Sequence, residues 1–146
     1  MWNRIPRELV TDELGTLTRT GSLWRGQPEW AAVPIVLDSG RSLPDGQMLN
    51  IAASAIGRLS QLEATARSYV HSLGLSRTRL GRLSAVGIDR PYREWVIQEL
   101  APRNGTAANA ILSGEPTVTL EFELVGETDV LNVTFVGDVP VDSDAH

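Results

Sequence analysis

The fold is decided by the stretch TVTLEFELVGETDVLNVTFV, residues 117–136. Apolar residues occupy alternate positions in both halves of this stretch: Val118, Leu120, Phe122 and Leu124, then Leu131, Val133 and Phe135. A period of two is typical of strands that bury one face and expose the other. Because Gly126 to Asp129 separate the two halves with turn-forming residues, the stretch predicts an antiparallel hairpin.

A helical region precedes this hairpin. Ser42, Pro44 and Asp45 form a start signal, with Ser42 as the N-cap. Apolar residues then recur in steps of three and four from residue 48 to residue 73, which predicts one long amphipathic helix that ends near Gly74. Gly57 in its middle indicates close packing against a strand. Residues 76–88 and 91–100 predict two further helices, and residues 105–115 a loop or one more turn.

The first part of the chain, roughly residues 7–37, reads as strands joined by turns. Val33, Ile35 and Leu37 alternate, and Pro34 predicts an edge strand or a bulge there. Strands at both ends and helices between them predict an α+β fold: an antiparallel sheet from N- and C-terminal strands with a central helical segment packed on one face. We expect one domain, residues 1–140, and a flexible tail, residues 141–146.

Composition excludes several chemistries. The 146 residues include no cysteine, and all 13 basic residues are arginine. A cysteine nucleophile, a Schiff-base lysine and a phosphate-loop lysine are therefore absent. No apolar run is long enough to span a membrane, and residues 1–7 lack the apolar stretch of a signal peptide. We therefore expect a cytoplasmic protein that does not bind membranes.

Candidate catalytic and metal-binding residues are few. His71 has no acid or nucleophile at a telling spacing, which favours a structural or exposed role. Asp142, Asp144 and His146 alternate and could chelate a divalent ion, but three ligands on a mobile terminus make a poor site, and a solvated tail is the simpler reading. No nucleophile elbow or glycine-rich phosphate loop occurs. The sequence therefore predicts no enzyme, no metal and no cofactor.

Two other clusters have a functional and a structural reading. Trp24 and Trp30 could form an aromatic recognition surface, although packing is the more common role of tryptophan. Arg77, Arg79 and Arg82 form a basic cluster that is too short for a nucleic-acid footprint and fits a solvated helix face.

Acidic residues are concentrated at the C-terminal end, where residues 101–146 hold eight acids and one arginine. The candidate partner-binding residues are Glu121, Glu123, Glu127, Asp129 and Asp138. Such a surface argues against nucleic acid and permits a basic protein partner. Two alternatives remain: an ordinary solvated sheet face, or neutralisation by arginines that fold back over the acids. Glu121 and Glu123, about 6.5–7 Å apart along one strand, also have the separation of an inverting glycosidase pair, but exposed sheet faces carry many such pairs.

A resemblance covers most of the chain. It rests on Leu14-Gly15-Thr16-Leu17, Trp24-Arg25-Gly26, the strand at 33–37, the helix around 51–69, and a closing hairpin with Leu120-Glu121-Phe122 and residues 133–138. In these features the chain resembles a family of small bacterial domains of unknown function, often encoded near polymorphic toxins and regarded as immunity proteins. The resemblance implies a protein-binding domain and no catalytic residues. The first hypothesis is an immunity protein that inhibits a toxin by direct binding. The alternatives are a small enzyme with an unrecognised site and a structural or adaptor domain.

Overall fold

The computed structural model of the chain describes residues 5–29, 31–40, 42–76 and 79–146. Trp30, Arg77 and the first four residues, which entered the sequence predictions, lie outside the described residues. In chain order the elements are β1 (Glu8–Thr11), β2 (Gly15–Thr20), β3 (Leu23–Gly26), β4 (Ile35–Asp38), α1 (Gly46–Gly57), α2 (Leu59–Ser72), β5 (Leu80–Asp89), α3 (Arg93–Trp95), a π-helix (Val96–Leu100), α4 (Gly105–Leu112), β6 (Thr117–Leu124), β7 (Val130–Val136) and β8 (Val139–Ala145).

The strands form one eight-stranded sheet in which the spatial order follows the chain order, β1 to β8. All neighbouring strands are antiparallel except β4 and β5. A parallel pair needs a crossover connection, and α1 and α2 supply it. The fold is therefore α+β with a mostly antiparallel sheet, and the predicted 117–136 hairpin is confirmed as β6 and β7.

The N-terminal strands also lie where the sequence predicts strands. Pro34, however, does not mark an edge, because β4 lies between β3 and β5. The proline precedes the first residue of β4, and its carbonyl oxygen accepts a hydrogen bond from the Val86 amide at 3.1 Å. The strand therefore loses no ladder donor at this position.

The long helix is divided in two at Arg58. The Arg58 amide donates to the carbonyl oxygens of Ser54 and Ala55, and the backbone of Arg58 leaves the helical region. The N-cap of α1 is Asp45, not Ser42: its Oδ1 accepts from the Met48 amide at 2.9 Å. Because a carboxylate at this position satisfies an amide that has no partner within the helix, it fixes the helix start.

The helix predicted at 76–88 is wrong, because β5 occupies residues 80–89. The later helical region is confirmed only in outline. Instead of one α-helix over 91–100, the chain forms the short α3 and then the π-helix. Residues 105–112 form α4, which is capped by Asn104: its Oδ1 accepts from the Ala107 amide at 3.0 Å.

Two apolar clusters hold these elements together. The larger one contains the buried residues of α1 and α2 and the inner side chains of β2 to β7. The smaller one joins the π-helix and α4 to Val141 and Val136. Phe135 belongs to the first cluster and Val136 to the second, and successive strand residues point to opposite faces. The π-helix and α4 therefore pack on the face opposite to α1 and α2, so the expectation that the helices pack on one face does not hold for them.

The C-terminal residues form the last strand. β8 pairs with β7 from Val139 to Ala145, and Val141 is 6% exposed in the smaller cluster. Residues 141–145 of the predicted tail thus lie in an edge strand, and the flexibility of the tail stays a prediction. Among the described residues, no helix has the length and apolar character needed to cross a membrane.

Candidate functional site

The register of β6 and β7 separates the five predicted partner-binding acids into two groups. Glu123 pairs with Val130 near the 125–129 turn, so Glu121, Glu123, Glu127 and Asp129 lie at one end of the hairpin. Asp138 lies beyond Val136, in the turn between β7 and β8. β7 runs from Val130 to Val136, which places about 20 Å between the two ends. Asp138 therefore does not belong to the same surface.

Most of these acids have an arginine or hydroxyl partner from a distant part of the chain. Arg82 contacts Glu123 at 3.2 Å, and Arg79 contacts Glu127 at 2.7 Å. Arg58 forms an ion pair with Asp138. Arg79 and Arg82 come from β5 and the turn before it, and only Arg58 comes from the helical region, so arginines from the helices do not cover the hairpin turn.

Glu121 differs from its neighbours because it is half-buried. The Ser84 hydroxyl lies 2.9 Å from Oε1 of Glu121 and 3.1 Å from its carbonyl oxygen. Glu121 and Glu123 are therefore held by different partners on β5, a hydroxyl and a guanidinium.

Sequence analysis assigned one acid of this surface, Asp144, to the C-terminal tail. In register, Glu121 lies opposite Asn132, and Asn132 lies opposite Asp144. Residues directly opposite in a sheet share a face, so Asp144 lies about 10 Å from Glu121 on the same side. The name acidic surface is used below for Glu121, Glu123, Glu127, Asp129 and Asp144. The alternation of Val139 and Val141 with polar residues was the signal that could have revealed this strand.

The acidic surface keeps an excess of negative charge. Five carboxylates face two arginines, Arg79 and Arg82, and the imidazole of His146 lies 3.2 Å from Asp144. Both ion pairs with arginine are solvent-exposed, since Arg82 is 79% and Arg79 52% exposed. Exposed pairs are weak because water competes for both groups. A cation from a partner can therefore compete for these carboxylates.

A cleft of about 770 Å³ lies beside this surface, at the break between α1 and α2. Its walls are the chain at 31–34, the helix junction at 56–61 with Glu63 and Arg67, and Arg82 to Ser84 of β5. Arg58, Arg67 and Arg82 thus border one space together with a single acid, Glu63. Sequence analysis missed this cleft because its walls are far apart in the chain.

Arg67 is the best-anchored of the three arginines. Its Nε donates to Glu63 at 3.0 Å, and its Nη2 donates to the Gly81 carbonyl oxygen at 2.9 Å. A longer contact of 3.4 Å joins Nη1 to the Leu80 carbonyl oxygen. The guanidinium carbon lies 5.1 Å from the centre of the Phe122 ring, within the range of a cation–π interaction.

A second polar cluster lies at the carboxyl ends of β4 and β5. Asp89 of β5 accepts a hydrogen bond from the buried Thr117 hydroxyl at 2.6 Å. Burial raises the pKa of Asp89, and the nearby charge of Asp38 adds to this effect, while the Thr117 hydrogen bond opposes it. The parallel register places Asp38 next to Asp89.

The pKa of Asp45, near this cluster, is shifted in the opposite direction from that of Asp89. Hydrogen bonds from Arg90 and from the Met48 amide hold the pKa of Asp45 below its ordinary value. Arg90 grips both carboxylate oxygens, at 2.8 and 3.3 Å, and also donates to the Gly114 carbonyl oxygen. The contacts of Arg90 therefore join β5, α1 and the end of α4, which indicates a structural role.

The remaining sequence candidates have mostly structural surroundings. Trp24 is fully buried in the larger cluster, with no hydrogen-bond partner for its indole N–H among the described residues. Asp142 pairs with Arg103 at 3.2 Å, and His71 lies at the exposed end of α2. Within the described ranges, no group of three or more histidine or acidic side chains could hold a metal ion.

Comparisons with known proteins find one partial similarity. No protein-family model and no solved structure matches the chain. The chain is 36% identical over 70 residues to the probable cytosol aminopeptidases of Mycobacterium tuberculosis and Mycobacterium bovis. The match covers 47% of this chain but only 14% of each aminopeptidase, so it leaves most of those enzymes without a counterpart here.

Proposed function

We propose that this chain is a protein-binding domain that recognises a basic partner through the acidic surface. In this proposal α1 and α2 cover one face of the sheet, and the partner docks on the opposite face at the turn of the β6–β7 hairpin. The observation that carries the proposal is the surplus of carboxylates there: Glu121 and Glu123 on β6, Glu127 and Asp129 in the turn, and Asp144 on β8.

Electrostatics gives such a surface a specific advantage. A field of one sign speeds the encounter with an oppositely charged partner, and the effect falls as salt screens it. The resemblance to domains encoded near toxins favours a toxin as that partner. Toxins that cleave nucleic acid carry basic active sites because their substrate is a polyanion. An acidic domain that covers such a site would act as an inhibitor without needing catalytic residues.

The test uses charge reversal within the acidic surface. A triple variant reverses three exposed acids at the turn end of the hairpin: Glu123→Lys, Glu127→Lys and Asp129→Lys. The partner is the product of the neighbouring gene, or a protein that the tagged natural chain retains from the cell of origin. We expect the variant to associate more slowly with this partner at low salt and to show a weaker dependence of the association rate on salt.

A matched control separates the location of the charge from its amount. The control triple variant makes the same charge change on exposed residues at the β1 end of the sheet: Glu8→Lys, Asp12→Lys and Glu13→Lys. It should bind as the natural chain does. Equal association rates for the two triple variants would contradict the proposal, and so would the absence of any protein retained by the natural chain. Thermal melts of all three proteins establish that each is folded.

A further inference from the structure

We propose that the cleft beside β5 binds an extended peptide segment of a partner protein, with a carboxylate of that segment at Arg82. This site is separate from the acidic surface and takes a ligand of the opposite charge. It does not depend on whether the acidic surface binds a basic partner, although the two sites touch at the Arg82–Glu123 ion pair.

The first observation is an open length of strand. β4 pairs with β5 only from Val86 to Ile88, with one further hydrogen bond from the Val86 amide to Pro34. On this side, no strand in the described part of the chain pairs with residues 80–85. Because Arg67 binds the carbonyl oxygens of Leu80 and Gly81, the open length is residues 82–85, about 13 Å of strand, which is enough to pair with three or four residues of a peptide. An unpaired strand edge is a template for a further strand, and many domains bind extended peptides in this way.

The contacts of Arg67 support this reading. Its guanidinium donates to the carbonyl oxygens of Leu80 and Gly81, which lie at the start of β5. A side chain of α2 therefore occupies this end of the strand, and the open edge begins after Gly81. Past this point the β5 edge continues into the cleft wall at Arg82 to Ser84.

The walls of the cleft provide apolar contact as well as charge. Ala31, Pro34 and Leu59 are half-buried and Ala32 is exposed, so these side chains offer apolar surface to a ligand. The volume of about 770 Å³ lies within the range of sites that enclose a ligand. Alternate side chains of an extended peptide point to opposite sides, so one set can contact this wall while the other remains in solvent.

The charged side chains of the cleft determine which kind of peptide fits it. Among the described residues, three arginines and one glutamate line the cleft; Arg67 pairs with Glu63, and Arg58 and Arg82 pair with Asp138 and Glu123, which lie outside the lining. Arg67 is anchored, but Arg82 is 79% exposed and its pair with Glu123, at 3.2 Å, is open to solvent. A carboxylate on the peptide can form a two-pronged pair with the Arg82 guanidinium, which is the geometry that arginine favours. The occupant is therefore a carboxylate-bearing segment rather than a basic one.

Nuclear magnetic resonance titration of the full chain tests this directly. The probes are two capped peptides that differ at one position, Ac-Thr-Val-Glu-Val-Thr-NH2 and Ac-Thr-Val-Lys-Val-Thr-NH2. We expect the glutamate peptide to shift amide signals of residues 31–34, 56–61 and 80–85, and the lysine peptide to bind about tenfold more weakly, as the loss of one charge-assisted contact implies. Free glutamate and inorganic phosphate are titrated in parallel.

Four variants locate the binding. Arg82→Glu should reverse the preference between the two peptides, whereas Arg103→Glu, on an exposed arginine outside the cleft, should leave it unchanged. Ala32→Trp places a bulky ring in the cleft and should abolish the shifts. Ala64→Trp, on an exposed position of α2 outside the lining, should not.

Several outcomes would overturn the inference. Shifts outside the cleft, or no shifts at all, would show that the glutamate peptide does not bind there. Equal shifts with free glutamate or phosphate at the same concentration would show a simple anion site without a role for the peptide main chain. Because the measurement needs no natural partner, its failure leaves the acidic-surface proposal intact, and failure of the charge-reversal experiment leaves this one intact.

Discussion

Replacing Arg67 with alanine is expected to lower the free energy of unfolding by about 2.5–3.5 kcal/mol, which is large for a partly exposed residue. The two hydrogen bonds to β5 carbonyls contribute about 1.5–2 kcal/mol, because the 2.9 Å contact is well formed and the 3.4 Å contact is weak. The contact with the Phe122 ring adds about 0.5–1 kcal/mol. The pair with Glu63 adds only about 0.3–0.5 kcal/mol, since it is an exposed pair one helical turn apart.

Urea denaturation followed by circular dichroism measures this loss. Glu63→Ala is the matched control and should cost no more than about 0.5 kcal/mol, because it removes the surface pair and leaves the β5 carbonyls bonded. Arg67→Lys should recover less than half of the loss, because a single ammonium group cannot reproduce the planar fork that spans two carbonyl oxygens. A cost below about 1 kcal/mol for Arg67→Ala, or full recovery by lysine, would refute this account of how α2 is fastened to β5.

Three further changes have defined outcomes. Ile56→Ala should cost about 2–5 kcal/mol because Ile56 is 4% exposed, and Leu59→Ala should cost less because Leu59 is only half-buried; equal losses in denaturant melts would contradict this. Asp45→Ala should cost about 1 kcal/mol through the lost helix cap. The pKa of Asp45 is lowered, so its ionic contribution is present above the ordinary aspartate pKa of 3.8 and is lost as pH falls through the lowered value. Asp89→Asn should have the opposite effect on the pH dependence of stability. The raised pKa of Asp89 means that its contribution is present below 3.8 and is lost as pH rises through the raised value, so the variant should be more stable than the natural chain at neutral pH and not in acid. Thermal melts across this pH range check the direction in which stability changes with pH for each variant. An Asp89→Asn protein that is less stable than the natural chain at neutral pH would show that the hydrogen bond from Thr117 stabilises the fold by more than the burial of the Asp89 charge destabilises it.

The elements that sequence analysis located are those whose pattern is local. In β6 and β7 every second residue is apolar, no bulge interrupts the pairing between them, and the turn residues lie between them. The helical face from Met48 to Leu73 is equally regular, so its existence was predictable. Its division at Arg58 was not, because Gly57 lowers helix stability by only about 1 kcal/mol and many helices contain such a residue.

β5 was misread for a specific physical reason. Its buried residues Leu80, Leu83 and Val86 are spaced by three, which imitates the face of a helix. In the structure this spacing arises from two irregularities in the β5–β6 register, between Leu80 and Leu83 and between Leu83 and Ala85. Each irregularity displaces the alternation of the strand, so residues 80–86 lose the period of two by which a strand is recognised.

The charges of the site were predictable, but their partners were not. The acids were found by counting residues along one hairpin. The arginines that contact Glu123 and Glu127 are 41 and 48 residues away in sequence. Only the pairing of β5 with β6 brings them together, and that pairing was hidden by the misread strand. The cleft has the same origin, since it forms where β4 and β5 diverge beneath α2.

The Arg82–Glu123 ion pair gives the two proposed sites a way to influence each other. A basic partner at the acidic surface competes with Arg82 for Glu123, and a carboxylate in the cleft competes with Glu123 for Arg82. Whichever ligand arrives first breaks the pair and leaves the other side chain without its partner. The second ligand then binds without having to break the pair. By linkage, each ligand must raise the affinity for the other by the same factor. A single partner that presents a basic residue next to an acidic extended segment would therefore bind both sites better than either feature alone would predict.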